Sequence, residues 1–171
     1  MTVLVTGGAG YIGSHVVLAL LEAGERVAVL DDLSTGRRKA VPPEARFVEG
    51  SVGDGALVGR VLAEERIEAI LHFAGSIIVP ESVANPLKYY ANNTVASQRL
   101  IAEAVAAGVA HVIFSSTAAV YGMPGRQPIA EDAALAPITP YGASKMMTER
   151  MLEDAGRAHG LAHVALRYFN V

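Results

Sequence analysis

Tyr141 and Lys145 stand four residues apart in Tyr-Gly-Ala-Ser-Lys. On a helix that spacing puts both side chains on one face. An ammonium near a phenol favours phenolate and lowers its pKa from the reference value of about 10. Such a phenol can take a proton from a hydroxyl while hydride leaves the same carbon. Upstream, Ser115-Ser116-Thr117 ends an apolar run and supplies hydroxyls able to share a hydrogen bond with a substrate oxygen. The Tyr-x-x-x-Lys pattern also arises by chance as an exposed helical pair, so its meaning rests on its company.

That company begins at Gly7-Gly8-Ala9-Gly10-Tyr11-Ile12-Gly13, between an apolar run and a helical pattern. In that setting a glycine cluster gives a tight turn, a bare backbone beside a pyrophosphate and a helix N-terminus aimed at the anion. Asp31 lies eighteen residues beyond Gly13, at the end of the second apolar run. A carboxylate there binds both ribose hydroxyls and repels a 2′-phosphate, so NAD is expected over NADP. Arg37 and Arg38 are the residues that would favour NADP instead.

The elements that must hold these groups alternate along the chain. Strands are expected at 3–5, 26–30, 46–48, 69–72, 111–115 and 163–167, and helices at 11–23, 54–65, 80–107 and 141–159. The third helix should be strained at Pro86. Near-continuous apolar strands separated by helices imply a parallel sheet covered on both faces, and right-handed crossovers make it doubly wound. The fold class is therefore α/β, a doubly wound parallel sheet of six strands. The loops at 32–43 and 123–140 are rich in Gly, Pro and polar residues, and the second is long enough to suggest a substrate-side role.

Composition narrows the partners. The chain has 171 residues, 51% of them hydrophobic, a size and content suited to one compact domain. A net charge of -3 gives no support for nucleic-acid binding. Cysteine is absent, which excludes disulfides and thiolate metal sites. His15, His72, His111, His159 and His163 show no metal-ligand spacing, so no metal is expected. The apolar stretch at 16–21 stops at Glu22, short of the ~20 residues that span a bilayer, and the start lacks a signal-type n-region. A soluble, cytoplasmic protein without membrane contact is the expectation. Val95, Leu100, Ile101 and Val105 form one apolar stripe and Met146, Met147, Met151 and Leu152 another, which predicts self-association through the helices at 80–107 and 141–159.

Together these runs resemble the N-terminal half of an extended short-chain dehydrogenase/reductase, most nearly the 4-epimerases of UDP-sugars. The resemblance is carried by residues 5–15, by Asp31-Asp32-Leu33-Ser34, His72-Phe73-Ala74-Gly75, Glu81-Ser82-Val83 and Tyr89-Tyr90-Ala91-Asn92-Asn93. It continues through Phe114-Ser115-Ser116-Thr117, Val120-Tyr121-Gly122, Pro140-Tyr141-Gly142 and Leu166-Arg167-Tyr168-Phe169-Asn170. It implies a Rossmann-like NAD-binding domain spanning 1–171, a fragment of a longer enzyme that lacks its C-terminal substrate domain. It also implies Tyr141 as acid/base, Lys145 as its partner and a ribose ligand, and Thr117 as the hydroxyl on the reacting sugar oxygen. Gly7, Gly10, Tyr11, Ile12 and Gly13 would hold pyrophosphate. Asp31, Asp32, Leu33 and Ser34 would surround the adenosine ribose, and Ser51 and Val52 the adenine. Phe73, Ala74, Gly75, Asn92, Ser115 and Tyr168 would line the cofactor, and Asn170 would reach the substrate. The implied reaction interconverts UDP-glucose and UDP-galactose through a 4-keto sugar, in a two-fold homodimer.

Four departures stand out against that pattern. Ser51 replaces a usual Asp at adenine, Asp32 a usual Asn, Ile77 a frequent Lys near the phosphates, and Ala119 a frequent hydroxyl residue. Related dehydratases carry an Asp-Glu pair after the strand-five Thr, where this chain has Ala118 and Ala119. Another nucleotide-sugar epimerase or dehydratase, an NADPH-dependent reductase and a non-catalytic dinucleotide-binding module are the alternatives. For the 171 residues alone, the expectation is NAD binding without useful turnover.

Overall fold

The computed structural model describes residues 1–125 and 127–170. Six strands form one sheet: β1 Thr2–Thr6, β2 Arg26–Asp31, β3 Arg46–Glu49, β4 Ala69–His72, β5 His111–Thr117 and β6 Ala162–Tyr168. Every pairing is parallel and the order is β3-β2-β1-β4-β5-β6. This is the doubly wound arrangement expected from the sequence. The pairing of β5 with β6 runs on to Thr117 and Tyr168, two residues and one residue past the apolar runs that announce them.

The helices are α1 Tyr11–Glu22, α2 Gly55–Glu64, α3 Val79–Ala84, α4 Pro86–Tyr89, α5 Ala96–Ala106 and α6 Pro140–His159. The single helix expected at 80–107 is thus divided. Pro86 lacks an N–H and disfavours helical backbone at the residue before it. Asn85 accordingly leaves the helical region at φ -137°, ψ 70°. Its side chain accepts from the Lys88 amide at 3.4 Å and caps α4. Between α4 and α5 the chain widens into a π turn over Tyr90–Val95. Such turns recur at functional sites. Helix α6 starts on Pro140 with the Thr139 hydroxyl capping the Gly142 amide at 3.2 Å, and stops at Gly160.

One core lies between the sheet and α2, α5 and α6, with Leu4, Ile70, Leu100, Phe114 and Leu152 fully enclosed. The other lies under α1 and contains Val3, Val5, Val17 and Val29. Each such side chain contributes about 1.5–3 kcal/mol by leaving water. Leu100, Ile101 and Leu152, expected at a subunit interface, are instead buried in this first core. Val95 and Met147 are the large side chains of the two stripes that remain exposed, at 50% and 41%. Periodicity identified the apolar faces, and part of each packs on this chain's own sheet. Among the described residues no helix is long and apolar enough to cross a membrane.

Candidate active site

The chain leaves β1 for β2 and β3 on one side, then crosses back to β4 on the other. That reversal opens a crevice at the carboxyl ends of β1 and β4, the position where open α/β sheets bind ligands. A cavity of about 1590 Å³ fills it.

The glycine turn forms its floor. Gly7 has φ +70°, a left-handed conformation that glycine tolerates. A Cβ on Gly13 would lie 2.2 Å from the Gly7 carbonyl oxygen, so strand and helix approach as closely as they do only because no side chain intervenes. Gly10 precedes α1 without a side-chain cap, leaving the first-turn amides free of a side-chain acceptor. Bare backbone and an uncapped helix start suit a pyrophosphate.

Asp31 closes one end of the cavity. Its Oδ2 accepts from the Ala9 amide at 2.9 Å and its Oδ1 from the Leu33 amide at 2.8 Å. Each oxygen keeps further acceptor capacity for a ribose hydroxyl. Asp32 Oδ1 accepts from the Ser34 amide at 3.0 Å, and Ser51 Oγ from the Gly53 amide at 3.1 Å.

At the other end stand Thr117, Tyr141 and Lys145. Thr117 ends β5 and its Oγ1 accepts from the Ala119 amide at 3.1 Å. Lys145 is buried, donates from Nζ to the Ser115 carbonyl at 2.9 Å and lies 4.8 Å from the centre of the Phe114 ring. Burial pushes its pKa down to about 8. Tyr141 packs edge-to-face on Tyr89 at 6.5 Å. Its pKa is raised above the ordinary tyrosine value, chiefly by burial, with the Thr117 side chain pulling the other way. The direction is opposite to the one expected from helical spacing. Desolvation of the half-buried phenol sets that direction.

Beneath the site, His72 Nδ1 shares a hydrogen with Thr6 Oγ1 at 2.6 Å and its Nε2 with Ser97 Oγ at 2.8 Å. Burial first, and the Lys145 charge second, hold its pKa down to about 3, so it is neutral at physiological pH. It therefore acts as a strut between β1, β4 and α5.

The cavity gathers Gly7, Gly10, Tyr11, Ile12, Gly13, Asp31, Asp32, Ser34, Ser51 and Val52 from the first half of the chain. It also gathers Phe73, Ala74, Gly75, Asn92, Ser115, Thr117, Tyr141, Lys145, Tyr168 and Asn170. Leu33 is the exception among the expected ligands. Its backbone takes φ 57° to present its amide to Asp31, and its side chain packs into the core under α1. Sequence reasoning missed Val95, Ala96 and Arg99, which line the cavity one turn (Val95, Ala96) and two turns (Arg99) beyond Asn92. Periodicity running from Asn92 would have found them. It also missed Asn93, which is buried and bonds the Ser76 backbone at 2.8 and 3.0 Å and Ser144 Oγ at 3.0 Å. Asn93 thereby ties the π turn to the helix that carries Tyr141.

A parallel sheet with a glycine turn at its switch point and an acid on the neighbouring strand defines a dinucleotide-binding domain of the doubly wound type. The chain belongs to the NAD dependent epimerase/dehydratase family, whose model matches residues 3–171. It is similar to the UDP-glucose 4-epimerase of Azospirillum brasilense, 60% identical over 99% of this chain and 49% of that protein. The crystal structure of UDP-glucose 4-epimerase from Brucella ovis in complex with NAD superposes with a TM-score of 0.96 at 46% identity, over 99% of this chain and 52% of that one. A UDP-glucose 4-epimerase structure with UDP-glucose, from Thermotoga maritima, gives a TM-score of 0.95 at 39% identity, over 98% of this chain and 55% of that one. The chain spans about half the length of the relatives it matches.

Proposed function

We propose that this chain is the NAD-binding half of a cytoplasmic enzyme that interconverts UDP-glucose and UDP-galactose through a 4-keto sugar. The observation that carries this reading is that Thr117, Tyr141 and Lys145 open onto the same cavity as the glycine turn and Asp31. When bound there, NAD supplies an acceptor for the sugar C4 hydride and the donor that returns it to the opposite face. The residues present fit it: the uncapped start of α1 and the bare backbone of Gly7–Gly13 would hold the pyrophosphate, and Asp31 the ribose.

Tyr141 moves the proton. Its Oη takes the C4 hydroxyl proton as the ketone forms and gives it back when the alcohol is restored. Because burial raises its pKa, the phenol is protonated at neutral pH in the protein alone. Positive charge in the site must therefore stabilise the phenolate, and Lys145, ionised below about 8, is the resident source. Thr117 Oγ1 donates to the same sugar oxygen and orients it. Ala118 and Ala119 place no carboxylate beside Thr117, which disfavours elimination of water as the reaction. Conversion of UDP-galactose to UDP-glucose by the protein at its full natural length tests the reading, and absence of conversion with NAD bound overturns it. The 171 residues alone should bind NAD without useful turnover, because the half of the relatives not matched here would hold the substrate nucleotide.

Asp31 sets the cofactor choice. Asp31→Asn keeps an acceptor for the Ala9 or Leu33 amide but removes the charge that repels a 2′-phosphate. The expected result is an NAD-over-NADP preference reduced by about tenfold, the equivalent of ~1.4 kcal/mol, in paired titrations. An unmodified protein with equal affinities would contradict the assignment.

The enzyme is also proposed to be a homodimer through the helices near 80–107 and 141–159. Val83, Leu87 and Met147 leave apolar surface exposed there. Sedimentation should give a dimer that Met147→Lys converts to monomer. A monomer at all concentrations would overturn the proposal.

A further inference from the structure

Glu149 lies one helical turn beyond Lys145 and two beyond Tyr141 on α6, and is only 8% exposed. Its Oε1 accepts from the Ser116 hydroxyl. Arg167 on β6 grips both of its oxygens, with Nη2 to Oε2 at 2.8 Å and Nε to the pair at 3.1 and 3.2 Å. The remaining nitrogen, Nη1, donates to Tyr121 Oη at 2.7 Å and to the Glu131 carbonyl at 2.8 Å. The guanidinium also lies 5.0 Å from the centre of the Tyr121 ring.

Five segments are therefore joined at one point, each adjoining the proposed reaction centre. Ser116 precedes Thr117, Arg167 precedes Tyr168, and Tyr121 ends the short turn that follows Thr117. Glu131 belongs to the loop that leads to Thr139 and the start of α6, where Tyr141 sits. Neither Glu149 nor Arg167 lines the cavity. With the carboxylate buried and the guanidinium 23% exposed, the cost of taking the charges out of water offsets much of what the pair regains, so stability alone is a weak reason for it. Directional bonds to five segments do what apolar packing does not: they fix distances between elements.

We propose that Glu149 and Arg167 are positioning residues that set the Thr117 hydroxyl relative to the Tyr141 phenol. The inference rests on the epimerase reading above. It is tested in the full-length protein with Glu149→Gln and with the double variant Glu149→Leu/Arg167→Met. Three quantities are read: the thermal midpoint, kcat and KM for UDP-galactose, and the NMR shift of the Thr117 methyl group.

The expected result is a double variant whose midpoint returns close to that of the unmodified protein. Its kcat should fall about tenfold or more while KM stays within about twofold, the pattern of misplaced reacting groups rather than weakened binding. The Thr117 methyl signal should move in both variants. Restoration of kcat along with the midpoint would overturn the proposal. Glu149→Gln preserves side-chain volume and reports independently if the double variant folds poorly; an unchanged kcat and methyl shift in it would also overturn the proposal. Absence of UDP-galactose turnover in the unmodified protein would instead defeat the epimerase reading. The methyl shift would then decide the positioning role by itself.

Discussion

Tyr141→Phe should leave the fold and NAD affinity unchanged and lower UDP-galactose turnover by about 10²- to 10⁴-fold in the full-length enzyme, the range for loss of a general acid/base. Phenylalanine keeps the ring that packs edge-to-face on Tyr89, and the α6 cap at Thr139 does not involve the phenol. The hydroxyl is the proposed proton carrier at C4, and no neighbour replaces it. Lys145 is held on the Ser115 carbonyl, and Thr117 is a poor base. Lys145→Met should be comparably severe, since phenolate then loses its resident counter-charge. Thr117→Val should cost less, about 10²-fold, as for one hydrogen-bond donor to a developing alkoxide. Steady-state rates alongside NAD titrations separate these cases. Near-normal turnover by Tyr141→Phe would remove Tyr141 from the mechanism.

Gly13→Ala should abolish useful NAD binding by the 171-residue chain while sparing most of its secondary structure. The new methyl group would stand 2.2 Å from the Gly7 carbonyl oxygen and 2.8 Å from the Gly8 Cα, both backbone atoms that cannot rotate away. The turn must open or α1 must slide. Overpacking of this kind costs about 1–3 kcal/mol in stability. The cost to binding is larger. Each amide bond to a charged phosphate is worth about 1.5–3 kcal/mol, so losing two of them weakens affinity by roughly 10²-fold or more. Titration with NAD, together with circular dichroism to confirm the fold, reads both effects. Gly24→Ala is the matched control: it has a positive φ but no atom near a Cβ, so it should cost stability without affecting NAD. Unchanged NAD affinity in Gly13→Ala would mean that the turn is not the pyrophosphate cradle.

Much of this architecture was legible because its constraints act on single residues or short periods. A glycine whose Cβ would strike backbone leaves its mark in composition, and so does an acid at the end of a buried strand. Six apolar runs separated by helical patterns imply a parallel sheet, although only the structure ranks them as β3-β2-β1-β4-β5-β6. Other features depend on distant contacts. Leu33 takes a left-handed backbone without being glycine because its amide bonds Asp31, a trade no periodicity records. The π turn at Tyr90–Val95 carries no Gly or Pro to mark it off from the helix on either side. The stripe containing Leu100 and Ile101 is apolar whether it meets a subunit or its own sheet, and here it meets the sheet. The direction of the Tyr141 pKa could not be inferred from Lys145 spacing, because it follows chiefly from burial, which helical spacing does not record.

The sheet order also bears on how the chain is made. β1 pairs with both β2 and β4, so a strand made before either of its neighbours occupies an interior position of the finished sheet. Its second neighbour is not available until residue 72 has been synthesised. Parallel pairings of this separation form late and leave edges open meanwhile. During translation β1 can dock with β2 under α1, the small core of valines, and wait there with one edge bare. The nascent domain thus carries an aggregation hazard between the synthesis of β1 and that of β4, relieved when β4 arrives and the glycine turn gains its opposite wall.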